Sequence, residues 1–248
     1  MMALLDFENY IDKATISAPK GEFGKNFIKA LEEVKNTGQV VAGLEDISST
    51  TFTIQPLKVL LNGNKLGIYV GKGETAEFGE EFSFVPLRAT KYRVIWSITD
   101  NRVVQRVFPR DVMIPEQEGK AIYPITAVFG ITSDFRHFFV IEGIRTKIDP
   151  VNNLVDSLKA NVKGKSGIYE LLAHAKVITK RSGKIQYKTI DLSVIGELDK
   201  ELIDLARLAS SFVADYIEYR RKKPVQLISE PEEASAEISE EEKALEGF

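Results

Sequence analysis

The chain has 248 residues, 44% of them apolar and 28% charged, with a formal net charge of −3 and no cysteine. That is ample material for a core, while the missing thiols exclude a disulfide framework, a thiolate metal site and a cysteine nucleophile. No stretch approaches the ~20 apolar residues of a membrane span and the opening MMALLDFENYID lacks a basic leader, so a soluble, cytoplasmic protein that avoids the membrane is expected.

Residues 22–36 place Phe23, Phe27, Ala30, Leu31 and Val34 at helical spacing and stop at Asn36 to Gly38, which predicts a short amphipathic N-terminal helix. From residue 40 to 147 the period changes. TTFTIQ, LKVLLN, LGIYVG, EFSFVPL, KYRVIWSI, RVVQRVF, AIYPITAVFG and HFFVIEGIRTKI are β-branched and aromatic runs parted by Gly, Asn, Asp and Pro. Asn62-Gly63-Asn64 and Thr99-Asp100-Asn101 have hairpin-turn composition. Eight candidate strands in about a hundred residues predict a barrel or sandwich. Residues 150–160 form a helix with Pro150 near its start, and IYELLAHA a short helical stretch. AKVITKR and KIQYKTIDLSV then make a second hairpin through Ser182-Gly183. Residues 198–219 are the clearest helix, with Leu198, Leu202, Leu205, Ala209, Phe212, Val213, Tyr216 and Ile217 on one face. Such a stripe caps the β body or forms a homodimer seam. The fold class expected is mainly β within α+β.

Charge divides the chain further. Residues 230–248 hold eight glutamates and one lysine, a net −7, which leaves residues 1–229 at +4. A single β-rich body over 1–229, with its flanking helices, and a disordered acidic interaction tail over 230–248 are expected. The bland alternative for the tail is solubility, with Ser239 to Glu242 as a capping box for a short helix. Inside the body, residues 88–189 carry +9 and the flanking stretches −4 and −1. The cations cluster twice, as Arg88, Lys91, Arg93, Arg102, Arg106 and Arg110, and as Lys159, Lys163, Lys165, Lys176, Lys180, Arg181, Lys184 and Lys188. Strand alternation separates Lys91, Arg93 and Ile95 from Tyr92, Val94 and Trp96, and Lys184, Gln186 and Lys188 from Ile185 and Tyr187. Trp96 and Tyr187 are therefore expected in the core, whereas Tyr169 and Phe135, near turns, are freer to stack on bases. A row of cations beside exposed rings is what a single strand of nucleic acid requires. An acidic tail tethered nearby competes for such a groove at high effective concentration.

Glu240, Glu241, Glu242, Glu246, Gly247 and Phe248 give this body a tail that resembles those of the replicative single-stranded DNA-binding proteins of bacteria and tailed phages. The resemblance implies an OB-like β-barrel, single-stranded DNA as ligand, and replication proteins gripped by Glu240, Glu241, Glu242, Glu246 and Phe248. If the chain is phage-encoded, its location is the host cytoplasm. Residues 56–61, 82–87 and 91–96 are also similar to a phage family found among replication genes, in which a P-hydrophobic-L-K strand precedes one with V-P and then a basic-aromatic strand. Together these cover roughly a third of the chain, which departs from the bacterial proteins in lacking a long Gly/Gln/Pro linker before the tail and in its extra helix.

Catalytic signatures are missing from the text. His137 and His174 lie in no HExxH or His-X-His arrangement, and Gly164-Lys165-Ser166 lacks both the earlier glycine and the preceding strand of a phosphate loop. Glu74, Glu77, Glu80 and Glu81 surround glycines without the alternation of a calcium loop and read as a solvated loop. A non-enzymatic protein without cofactor or metal is expected. The second function class is an oligomeric structural or assembly protein of a virion.

Overall fold

The computed structural model describes residues 7–18, 20–36, 53–60, 62–70, 74–108, 113, 114, 116 and 118–222. Arg110, the expected β text of residues 40–52 and the acidic segment 230–248 with Glu240, Glu241, Glu242, Glu246 and Phe248 lie outside the described residues. Four α-helices and nine strands occur among the described residues: α1 (Phe7–Ser17), α2 (Glu22–Asn36), β1 (Lys58–Val59), β2 (Leu66–Val70), β3 (Glu74–Gly79), β4 (Glu81–Ser97), β5 (Arg102–Val107), β6 (Lys120–Thr132), β7 (Phe138–Glu142), α3 (Ile148–Asn161), β8 (Leu171–Ser182), β9 (Ile185–Glu197) and α4 (Ile203–Lys222). The class is α+β with antiparallel sheets, as expected. No helix among the described residues is long and apolar enough to cross a membrane.

β1, β2 and β3 form a small sheet, and the large one runs β7-β6-β4-β8-β9 with β5 also on β4. The two runs EFSFVPL and KYRVIWSI, expected as separate strands, are one: β4 pairs with β6 from Phe84↔Thr132 to Ser97↔Lys120, with a register shift between Pro86 and Arg88. The bulge absorbs Leu87 and carries the strand through Arg88-Ala89-Thr90 rather than ending it. β4's other edge meets β8 at residues 81–84 and β5 at residues 93–97, so residues 85–92, with Pro86, have no strand neighbour there among the described residues. Helix α4 lies against this stretch, where Ser210 Oγ donates to the Leu87 carbonyl at 3.1 Å and Arg88 Nε donates to the Ser210 carbonyl at 3.3 Å.

Consequently the sheets do not close into the expected barrel. β7 and β9 end the large sheet without pairing to each other. The outer edge of β7 is covered by residues 55–57 running parallel: Leu57 N donates to Val140 O at 2.8 Å and Val140 N to Gln55 O at 3.0 Å.

The centre of the large sheet is buried on both faces. Phe138 and Val140 of β7 join Phe27, Leu31, Phe129, Phe212 and Tyr216 under α1, α2 and α4, while Phe139 and Ile141 join Leu57, Leu66, Phe84, Leu154 and Leu171 under α3 and the small sheet. The α4 stripe, including Leu205, Ala209, Phe212, Val213 and Tyr216, is buried in the first of these cores. Of the two roles expected for it, it caps the body; the stripe is not exposed for a dimer seam.

Three local expectations are corrected, and one helix is additional. Helix α1 carries Phe7, Tyr10 and Ala14 at helical spacing and buries them. The acidic loop is in part strand β3, with Glu77 bound to Lys65 at 2.6 Å. LLAHA is strand, not helix, because Leu171, Ala173 and Ala175 follow a period of two into the core. Only Phe138–Glu142 of HFFVIEGIRTKI is strand. The three turn signals hold, with Gly63, Asn101 and Gly183 at φ of 71°, 56° and 59°.

Gly130 lies between rings: an added Cβ would meet Phe84 Cδ2 at 3.0 Å and Phe139 Cζ at 3.1 Å. Gly130→Val should destabilise the fold by about 1–3 kcal/mol through overpacking, read by urea unfolding. His137 Nδ1 lies 3.2 Å from Glu33 Oε2 on α2, and burial, outweighing the attraction of Glu33, holds the imidazole below its ordinary value of 6.5. The neutral ring's contribution is complete above pH 6.5 and is lost as pH falls from there through the lower folded value. Unfolding measured between pH 8 and pH 4 (roughly the span of an imidazole titration) should show this step, and His137→Gln should remove it.

Candidate nucleic-acid interface

The β4–β5 hairpin, the chain after β7, and the β1–β2 and β8–β9 hairpins converge on a cleft of about 730 Å³. Each element contributes cations: Arg102 and Arg106 from β5, Arg145 and Lys147 from the turn after β7, Lys58 from β1 and Lys188 from β9. Among the described residues that line it, Glu77 and Glu142 are the acids. Two half-buried rings complete the wall. Trp96, next to last in β4, has the Arg145 guanidinium 4.4 Å from its centroid, and Tyr69 on β2 has Lys58 Nζ at 4.9 Å. Lys147 Nζ donates to the Leu57 carbonyl at 3.3 Å. Cationic walls with flat faces suit phosphates and bases together.

Beneath the cleft lies a buried ionic network. Glu142 is 3% exposed; it accepts from Arg106 Nε at 2.5 Å and Nη2 at 2.9 Å, and from the Tyr92 hydroxyl at 2.5 Å. Burial pushes the Glu142 carboxyl up, but the Arg106 guanidinium and the Tyr92 hydroxyl more than offset it and hold it below the usual range. Burial, reinforced by the Glu142 charge, pushes the Tyr92 hydroxyl well up. Arg106, expected as a phosphate contact, therefore has two of its three nitrogens committed to Glu142 in a fork-to-fork pair. Its first role is to hold β5 to β7 across β4 and β6.

Only some of the residues singled out in the sequence reach this cleft. Arg102, Arg106 and Lys188 line it. Lys91 and Arg93 lie on the opposite face of β4 from Tyr92, as the alternation predicts, and Arg88 turns to α4. Lys165 is bound to Glu197 at 2.7 Å and Lys176 to Glu81 at 2.9 Å. Lys163 is exposed after α3, and Lys180, Arg181 and Lys184 are exposed around the β8–β9 turn, with Arg181 Nε donating to Gly183 O at 2.9 Å.

The aromatics change places. Phe135, expected to be free for stacking, is fully buried with φ of 55° and packs edge-on against Phe27. Tyr169 is half-buried and packed against the core under α4. Trp96, expected in the core, is half-buried at the cleft, because the core that receives Tyr92 and Val94 ends one step before it. Tyr187 is half-buried as well. Sequence inspection did not select Lys58, Tyr69, Arg145 or Lys147. The first two belong to an acidic third of the chain, and Arg145 and Lys147 stand apart from both basic clusters.

Glu142→Ala should destabilise the protein by about 3–5 kcal/mol, because it leaves the Arg106 guanidinium without its partner. Urea unfolding should show that loss partly recovered in the Arg106→Met, Glu142→Leu double variant. Comparison with known families, curated proteins and solved structures finds no match to this chain.

Proposed function

We propose that the protein is a non-catalytic single-stranded DNA-binding protein of replication or recombination, working in the cytoplasm of a phage-infected host. The cleft carries this proposal: among the described residues, six cations and two rings are drawn from six separate segments onto one groove of a β scaffold. The scaffold plays the part of an OB-like fold, a sheet whose groove tracks a strand. Phosphates displace counterions as they meet the lysines and arginines, and bases find the rings.

The acidic segment 230–248 competes for this groove in the absence of DNA and recruits replication proteins when DNA displaces it. Its tether supports that role. Arg220, two residues before the end of α4, donates from Nη2 to the Arg106 carbonyl at 3.5 Å, so the chain leaves α4 beside the cleft wall. Tethering at that distance raises the effective concentration of a −7 segment around the cations.

Anisotropy of a labelled oligothymidylate should show binding that weakens with salt, each neutralised phosphate contributing about −0.7 to the slope of log K against log salt. Binding that fails at low salt, or that ignores salt, overturns the proposal. Deleting residues 230–248 should tighten binding; unchanged or weaker binding removes the competition mechanism alone. A large assembly without DNA and no oligonucleotide shift in sedimentation would point instead to a virion structural protein.

A further inference from the structure

Trp96 is the sole tryptophan of the chain, and its ring is covered by the chain itself. The Arg145 guanidinium lies 4.4 Å from the ring centroid, and its Nη2 also donates to the Asn101 side-chain oxygen in the β4–β5 turn. The backbone at both residues is left-handed, with φ of 53° at Arg145 and 56° at Asn101. Asn adopts that conformation readily in a turn, whereas Arg rarely does. Strained backbone of this kind persists where surrounding structure holds it, and it gathers at ligand sites. Here it returns the Arg145 side chain over the cleft.

A guanidinium is planar, delocalised and able to stack on an aromatic face, so it occupies the footprint that a nucleobase would occupy. It is also a good bidentate partner for phosphate. We propose that Arg145 is an exchangeable cover on Trp96. An unpaired base takes the ring face, and the displaced guanidinium leaves Asn101 and pairs with a phosphate of the same strand. The exchange sets specificity as well as affinity. Bases inside a duplex are already stacked and cannot reach the ring, so a duplex meets the cations of the cleft while Arg145 stays on Trp96. Without nucleic acid, the cover keeps a large apolar ring from presenting itself to other surfaces. This inference rests on the nucleic-acid function proposed above and assigns the discriminating step to one residue pair.

The single tryptophan supplies the test in the full-length protein. Oligothymidylate should lower Trp96 emission to a saturating limit that tracks binding by anisotropy, and a duplex of equal length should bind at low salt without that change. Arg145→Gln should alter the emission of the protein alone, retain the quenching, and reduce the salt slope by about 0.7, the share of one phosphate on a single strand. Trp96→Leu should weaken single-strand binding roughly tenfold to a hundredfold, as loss of one stacked base does, while Trp96→Phe should stay within about threefold of wild type because a ring remains. Anisotropy binding with unchanged Trp96 emission overturns the exchange and leaves the binding function standing. Equal quenching by duplex and single strand, or an unchanged salt slope in Arg145→Gln, overturns it as well. Failure to bind in anisotropy defeats the binding function and the exchange together.

Discussion

Strand β4, seventeen residues from Glu81 to Ser97, is the constraint on which the rest of the molecule depends. It supplies the pairing edge for β6 along nearly its whole length, for β8 at its start and for β5 at its end. No two-layer arrangement of short strands could do this, because one strand must be long enough to serve both halves. The bulge at Leu87 makes it possible. By absorbing one residue it shifts the alternation, so that Val85 and Leu87 before it and Tyr92 and Val94 after it enter the same core. Without the shift, the second half of β4 would turn Lys91 and Arg93 inward.

The middle of β4, paired with β6 on one edge and without a strand on the other among the described residues, then determines where α4 goes. A sheet edge with free backbone groups must be covered or hydrated, and α4 covers it with Ser210 on the Leu87 carbonyl while burying Phe212 and Tyr216 beneath the sheet. The end of that helix reaches β5 through Arg220 and the Arg106 carbonyl. Arg106 in turn is held by Glu142 from β7, with Tyr92 of β4 on the same carboxylate. One buried acid thus connects three strands under the cleft, and removing a charge from such a network is costly because the remaining charge cannot be hydrated. The walls above it inherit their positions from this arrangement. Trp96 and Arg102 flank the β4–β5 turn, and Arg145 follows Glu142 by three residues.

Much of the chain's local structure is legible in its residues. Helix α2 was bounded correctly because its apolar spacing ends at Asn36, and the hairpin turns at Asn62-Gly63, Asp100-Asn101 and Ser182-Gly183 follow from residues that tolerate positive φ. LLAHA and ETAEFG were misread for an identifiable reason: alanine and glutamate favour helix or loop locally, and pairing with β9 and β2 overrides them. Alternation placed Lys91 and Tyr92 on opposite faces of β4 correctly. It does not say how far along the strand the core extends, which is why Trp96 is expected in the interior; Phe135 is expected at the surface because it lies near a turn, and that turn folds its ring into the core.

By itself, the sequence determined the α+β class, most helices and turns, the surplus of positive charge in residues 88–189 and the negative charge of residues 230–248. These are properties of composition and of spacing within about ten residues, and local backbone preference expresses them directly. Only the tertiary structure decided which cations share a cleft. Lys58, Arg102, Arg145, Lys147 and Lys188 are separated by up to 130 residues in the chain and come together because β4 pairs with β5 and β6, β7 hands its end to the Arg145 turn, and β8 brings β9 alongside. Local charge density therefore identifies a cationic stretch without saying which of its cations meet in space or which are already paired, since Lys165, Lys176 and Arg106 carry ionic partners that no spacing rule reveals.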